Sequence, residues 1–234
     1  MSLKAAALAA TTALGMTIFT LGAACADRRL YLVTYGYYTP VKGEIEIEQW
    51  TDGFVERGGG TAYRSRTEIE YGVTDRLAAA LYLVNKRPVG GPWNYDETKL
   101  QLRYRLTEIG KRFWDTAGYL EIVRPNDSAK PYEMEAKAIF SHEFPKFNLS
   151  LNLIAEKELV SGAETEKGYA IGVAPYAKGR VRCSLELFGG EHKHYVMPAL
   201  WWSKGARNMG IGLAAGLTPD SDRLQVRTLY AVEF

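Results

Sequence analysis

The sequence predicts an all-β fold, an antiparallel transmembrane β-barrel of twelve strands behind an N-terminal signal peptide. Three observations predict it. Period-two segments of about ten residues follow one another through most of the chain, which suits strands tilted across a bilayer. No apolar run past the N-terminus approaches the ~20 residues that a spanning helix needs. The N-terminus itself has the form of an export segment.

That segment is residues 1–26. Lys4 supplies a short positive region, residues 5–21 are apolar or small without charge, and Ala24-Cys25-Ala26 gives an A-x-A cleavage site. The mature chain would begin at Asp27. Acylation of Cys25 is an alternative, although Gly22 stands where a lipoprotein box wants a bulky apolar residue. An uncleaved anchor is another. Each route exports the chain.

Removing residues 1–26 takes one of the 29 basic residues and no acid, leaving 28 against 27 and a net charge of +1. Such a balance gives no argument for nucleic acid. Only Cys183 remains, so no intrachain disulfide forms. The hydrophobic fraction of 47% and the charged fraction of 24% are ordinary for a soluble protein. They do not exclude a barrel, whose polar interior dilutes its hydropathy.

Residues 27–42 form a lead-in with Tyr31, Tyr35, Tyr37 and Tyr38 ahead of Pro40. They suit a periplasmic arm, an extra strand or a segment tucked into a lumen. The barrel proper is residues 43–234. The first strand, near residues 43–54, opens on a strict Glu-Ile alternation, and Gly58-Gly59-Gly60 turns the chain. The second spans residues 61–72, with Arg64, Arg66, Glu68 and Glu70 on one face and Tyr63, Thr67, Ile69 and Tyr71 on the other. The third, residues 77–85, turns Leu77, Ala79, Leu81 and Leu83 outward. The longest loop is expected after it, among Pro88, Gly90, Gly91 and Pro92.

The fourth strand, residues 97–106, alternates Leu100, Leu102, Tyr104 and Leu106 with Lys99, Gln101, Arg103 and Arg105. The fifth covers residues 115–124. In the sixth, residues 132–143, Met134, Ala136, Ala138 and Phe140 oppose Glu133, Glu135 and Lys137. The seventh, residues 147–159, sets Leu149, Leu151 and Leu153 against Ser150, Asn152 and Glu156. The eighth, residues 166–176, faces Tyr169, Ile171 and Val173 outward. The ninth alternates Val181, Cys183, Leu185 and Leu187 with Arg182, Ser184 and Glu186. The tenth, residues 194–202, has mixed faces. The eleventh, residues 208–217, is glycine-rich, and the twelfth runs from Leu224 to Phe234.

An even number returns both termini to one side, the periplasm, as in bacterial single-chain barrels. A missed partner for the lead-in would make fourteen. Two girdles of aromatics are expected at the strand ends. Tyr71, Phe113, Trp114, Phe144, Phe147, Tyr176 and Phe234 would form the near one. Tyr63, Trp93, Tyr95, Phe188 and Tyr195 would form the far one. The bland alternative for the last segment alone is an edge strand of a soluble β-sandwich.

That last segment resembles the C-terminal strand of bacterial outer-membrane β-barrels, which typically finish on Phe. The resemblance implies an assembly signal at Phe234, read by the barrel-assembly machinery after delivery by periplasmic chaperones. The runs from Lys42 to Trp50 (KGEIEIEQW) and from Thr67 to Leu77 (TEIEYGVTDRL) are similar to a family of proteobacterial outer-membrane proteins. That family is grouped loosely with the phenol-degradation MetA-pathway outer-membrane proteins. It implies a place in the bacterial outer membrane and transport, and no catalytic residues.

The alternate face is ionic. An Arg or Lys near the bilayer midplane costs ~2–4 kcal/mol on the lipid side, so these groups must face a lumen. The expected lining is Glu44, Glu46, Glu48, Arg64, Arg66, Glu68, Glu70, Lys99, Arg103, Arg105, Glu133, Glu135, Lys137, Arg182, Glu186 and Arg227. Glu121, Glu156 and Glu233 share this face. The twelfth strand should close on the first, making Arg227 available to Glu44, Glu46 and Glu48. Gly168, Ala170, Gly172 and Ala174, with Gly210, Gly212, Ala214 and Gly216, leave space for a solute or for residues 30–38.

The charges fit a water-filled pore for small solutes. They also fit a lattice of cross-strand pairs that fills a closed structural or interaction barrel. A lipid-modifying enzyme is a third, weaker reading, because His142 and Ser150 are not placed as base and nucleophile. Glu191, His192 and His194 lack a third nearby metal ligand. Gly210, Gly212 and Gly216 precede Thr218-Pro219 rather than a helix, which argues against a nucleotide loop. No catalytic, cofactor or metal site is expected, and the partners expected are outer-membrane lipid and the assembly proteins.

Overall fold

The computed structural model describes residues 29–176 and 178–234. The expected signal peptide of residues 1–26 and the expected start of the mature chain at Asp27 lie outside the described residues. Twelve strands follow in order: β1 (Ile45–Val55), β2 (Thr61–Gly72), β3 (Leu77–Arg87), β4 (Asn94–Arg105), β5 (Asp115–Pro125), β6 (Glu133–Glu143), β7 (Phe147–Glu158), β8 (Thr165–Pro175), β9 (Val181–Gly189), β10 (His194–Lys204), β11 (Arg207–Gly216) and β12 (Leu224–Glu233). Each pairs antiparallel with the next, and β12 returns to β1, closing the barrel. Closure leaves no sheet edge, which is what a spanning sheet requires.

The seam is continuous. Glu46 stands opposite Glu233, Trp50 opposite Leu229, and Val55 opposite Leu224. Beyond β12, Phe234 donates its N–H to the Ile45 carbonyl at 2.8 Å, and Ile45 donates to the Phe234 carbonyl at 3.2 Å. The turns are chemically local. Between β2 and β3, the Leu77 N–H donates to the Thr74 hydroxyl, and Val73 and Thr74 donate to the Leu77 carbonyl. Between β1 and β2, Gly59 and Gly60 take φ of +94°, a region an L side chain rarely enters.

The two faces separate as the alternation requires. Outward positions carry Leu81, Leu83, Leu100, Leu102, Leu185, Leu200, Ile211 and Leu213, all solvent-exposed in the isolated chain. A continuous apolar belt of this extent belongs against lipid rather than water. Inward positions carry the buried polar set, including Glu48, Asp52, Glu68, Glu70, Gln101, Arg103, Glu121 and Glu186.

Two expectations are corrected. The longest connection is residues 106–114, on the side of the C-terminus, not the loop after β3. A register shift at Val84 and Asn85 lets β3 and β4 keep pairing to Lys86 and Asn94, which shortens that loop to residues 88–93. The longer turn is ordered by Asp115, whose carboxylate accepts the Gly110 N–H at 2.9 and 3.1 Å. In the far girdle, Phe188 and Tyr195 stack on each other at 5.2 Å within an interior apolar cluster. Their parity in β9 and β10 points them inward. Tyr63, Trp93 and Tyr95 are exposed at the far rim.

Candidate functional site: the lumen and the segment lying in it

Residues 29–42 enter the barrel ahead of β1 and occupy the half of the lumen nearest the C-terminus. Tyr37 and Tyr38 stand at the mouth, donating to the last carboxylate of β6, Glu143, at 3.2 and 3.0 Å. The chain rises to an apex at residues 32–35 and turns back. Tyr31 then reaches the start of β7, where its hydroxyl donates to the Asn148 side-chain oxygen at 2.8 Å. Arg29 ends the described segment in an ion pair with Glu48.

The apex is held by polar contacts. The Glu186 carboxylate accepts the backbone N–H groups of Leu32 at 2.7 Å, Val33 at 2.8 Å and Thr34 at 2.7 Å, and the Thr34 hydroxyl at 2.9 Å. Three successive N–H groups converging on one anion form a nest. Asn152 clamps the next residue in both directions. It accepts the Tyr35 N–H at 2.6 Å and donates to the Tyr35 carbonyl at 2.9 Å. These bonds supply the backbone partners that a segment without secondary structure otherwise lacks when buried.

The small residues of β8 and β11 make the room. A Cβ on Gly172 would lie 2.5 Å from the Tyr31 ring, and one on Gly212 would lie 2.7 Å from Leu32. Leu32 joins an interior cluster with Trp50, Met197, Trp201 and Leu229. Tyr37 joins a second with Ala117, Tyr119 and Ile139. Tyr35 lies between the Lys137 ammonium, 4.4 Å from its ring centroid, and the Arg103 guanidinium at 5.5 Å. Burial pushes the phenols of Tyr31, Tyr37 and Tyr38 above the ordinary tyrosine range, so they act as protonated donors.

Fifteen of the sixteen candidate lining residues fall into four groups, and Glu186 stands by itself. Glu46, Glu48, Glu68 and Glu70 form an acidic block on β1 and β2, with Glu46 opposite Glu70 and Glu48 opposite Glu68. Like charges in register repel. The block is offset by Arg29 at Glu48 and by Arg103, which donates to both oxygens of Glu70 at 2.6 and 2.9 Å. Arg64, Arg66 and Arg227 form a basic wall on β2 and β12. Lys99, Glu133, Glu135 and Lys137 lie across the barrel with Glu121 and Glu156. In that group Lys99 meets Glu121 at 3.0 Å, and Lys137 meets Glu135 at 2.8 Å.

The remaining members serve the ends. Glu44 accepts the Val41 N–H at 2.9 Å, Arg105 donates to the Asp75 carbonyl at 2.6 Å, and Arg182 donates to the Ser203 hydroxyl at 2.7 Å. Glu186 stands apart as the clasp.

Arg227 does not serve the three glutamates of β1. It donates to Asp52 at 2.7 Å, because antiparallel register sets Arg227 opposite Asp52 and sets Ala231 opposite Glu48. Arg66 shares Asp52 at 3.2 Å. Asp52, Arg29, Glu143, Asn148 and Asn152 are the residues missing from the candidate set. His142 faces outward against Phe113, with ring centroids 4.2 Å apart, whereas Ser150 is buried beside Ser141 and Asn148. The two do not meet. Among the described residues no cluster of three or more His, Cys, Asp or Glu could hold a metal ion.

The barrel fold recurs among solved structures. An outer-membrane channel from Pseudomonas putida F1 aligns with a TM-score of 0.58 and 12% identity, over 84% of this chain and 97% of that one. The fold is that of an outer-membrane β-barrel. The KdgM porin, in complex with disordered oligogalacturonate, aligns at 0.56 and 8% identity, over 82% of this barrel's chain and 98% of its own. The NanC porin aligns at 0.55 and 10%, over 81% and 98%. Identities this low are a likeness of fold. Residues 23–103 match a family of unknown function, DUF6662, and this stretch includes the runs from Lys42 to Trp50 and from Thr67 to Leu77. No curated protein matches.

Proposed function

We propose that the protein is an outer-membrane channel for small solutes, stoppered by its own residues 29–42 and open when that segment leaves. The observation that carries this reading is the Glu186 clasp. A permanent filling needs only apolar packing, such as Ala80, Tyr82 and Val84 of β3 supply elsewhere in the lumen. The apex of the segment is also held through groups that water can replace one for one. Beside and above its apex the walls are lined by both signs of charge, with Arg64, Arg66 and Arg227 on one side, the last donating to the Leu32 carbonyl at 3.3 Å, and Glu121, Glu135 and Glu156 across from them. The fold shared with a channel and two porins supports the same reading.

In this reading the outward apolar belt is covered by outer-membrane lipid. The chain reaches that membrane through periplasmic chaperones and the barrel-assembly machinery. The second reading is a closed structural or interaction barrel. It is favoured by Leu32 and Tyr37, each of which belongs to an interior apolar cluster. The test is bilayer conductance of the refolded mature protein beside a variant lacking residues 29–42. The deletion variant should conduct steadily, and the intact chain in brief openings. Silence from both at every voltage would leave the structural barrel as the function.

A further inference from the structure

A distinct pocket lies at the far rim of the barrel, beyond the seated segment. At the far mouth, the ends of β1 to β4 enclose a cavity of about 440 Å³ lined by Phe54, Tyr63, Arg64, Lys86, Arg87 and Asp96 among others. That volume suits a small molecule. Its lining carries three cations and one carboxylate. Lys86 is paired with Asp96, which leaves the two guanidinium groups.

Arg64 is the unusual member. Among the described residues it has no ion-pair or hydrogen-bond partner, and its Nε is buried without one. The carboxylate opposite it in register, Asp52, is taken by Arg66 and Arg227. The Arg64 guanidinium lies 5.6 Å over the Phe54 ring, and Arg87 lies 5.7 Å over Tyr63. Arg64 is half-buried, and a guanidinium with no bonded anion gains from an anionic ligand that reaches it. A guanidinium fork matches a carboxylate, while a ring face matches a flat or apolar body.

We propose that this mouth cavity binds a small carboxylate borne on a ring, with Arg64 as its anchor. The proposal names a solute class for the channel and rests on the channel reading only for passage. Binding itself needs no open pore, so the two fail separately.

The test uses the refolded mature protein in detergent, titrated calorimetrically with benzoate, glucuronate and benzamide. At least one carboxylate should bind saturably, and benzoate should bind at least tenfold tighter than its neutral amide if the ring is aromatic. Tighter glucuronate assigns the sugar ring instead. Arg64→Gln should weaken the preferred carboxylate at least tenfold. Arg64→Lys, which keeps the charge and loses the fork, should fall between. Should R64Q fail to fold, R64K and the comparison of carboxylate with amide in the unaltered protein decide the matter. No binding of either carboxylate, benzamide equal to benzoate without a preference for glucuronate, or wild-type affinity in folded R64Q would each overturn the proposal. Retained binding with no conductance would remove the channel and leave the site.

Discussion

Glu186, on β9, accepts both the backbone N–H and the side-chain hydroxyl of Thr34, at 2.7 and 2.9 Å, from a residue 152 positions earlier in the chain. One wall carboxylate thereby fixes the apex of the lumen segment. Glu186→Gln keeps the shape and removes the charge. Charge-assisted bonds contribute about 1.5–3 kcal/mol each, so a net loss of roughly 2 kcal/mol, or about thirtyfold toward release, is expected. Limited proteolysis of residues 29–42 should accelerate by that order while the barrel stays resistant. An unchanged cleavage rate would remove Glu186 as the clasp.

The glycine floor predicts a steric route to the same outcome. Gly172→Val places a branched side chain where the Tyr31 ring sits, and Tyr31 is 2% exposed with its hydroxyl fixed on Asn148. Overpacking of this kind costs about 1–3 kcal/mol. The expected result is a barrel of native heat-modifiability with a displaced segment, read by faster proteolysis. Gly179→Val, in an exposed turn with nothing near its Cβ, is a poor control because its φ is +115°. Ala215→Val on the outer face serves better.

Seating should weaken in alkali. Tyr31, Tyr37 and Tyr38 hold their protons above the ordinary phenol value of about 10 because burial disfavours the phenolate. The seated form therefore binds more protons than the released form at high pH. Its stability is intact below about pH 10 and declines as pH rises beyond that value. Channel current between pH 8 and 11 should rise only at the upper end. In the Tyr31→Phe, Tyr37→Phe double variant the rise should flatten, which separates the phenols from titrating lysines. A steeper rise in the double variant would argue against them.

At the seam, Arg227→Glu sets a carboxylate opposite Asp52 in place of the 2.7 Å ion pair. Closure should weaken, seen as a lower temperature for loss of the compact band on gels. Pairing the change with Asp52→Arg should recover part of the loss. Equal melting of the single and double variants would mean that the backbone ladder alone holds the seam.

The barrel was largely legible because period two survives wherever one face meets lipid and the other meets charge. Leu100, Leu102 and Tyr104 against Gln101 and Arg103 decide β4 without further help. The lumen segment was only half legible. Gly172, Gly210 and Gly212 signal space, yet spacing alone does not say whether solute or backbone fills it. Glu186 read as one lining charge among many, since its partners are backbone N–H groups that carry no side-chain signature. Asp52 shares the parity of Glu48 and Trp50 in the first strand, but the lining expected from that strand stops at Glu48. The partner of Arg227 depends on register, and register depends on how β12 and β1 align. Charge content carries no such information.

Gly43 joins the lumen segment to β1, and its N–H donates to the Gly72 carbonyl at 2.8 Å, so the segment is moored at the rim it enters by. A stopper on so short a leash never dilutes. Tethers of this length give effective concentrations on the order of millimolar. A free peptide of the same sequence would have to reach that level to compete. If the protein is the stoppered channel proposed above, reclosure is a first-order event, set by the leash and indifferent to how many copies of the protein the membrane holds.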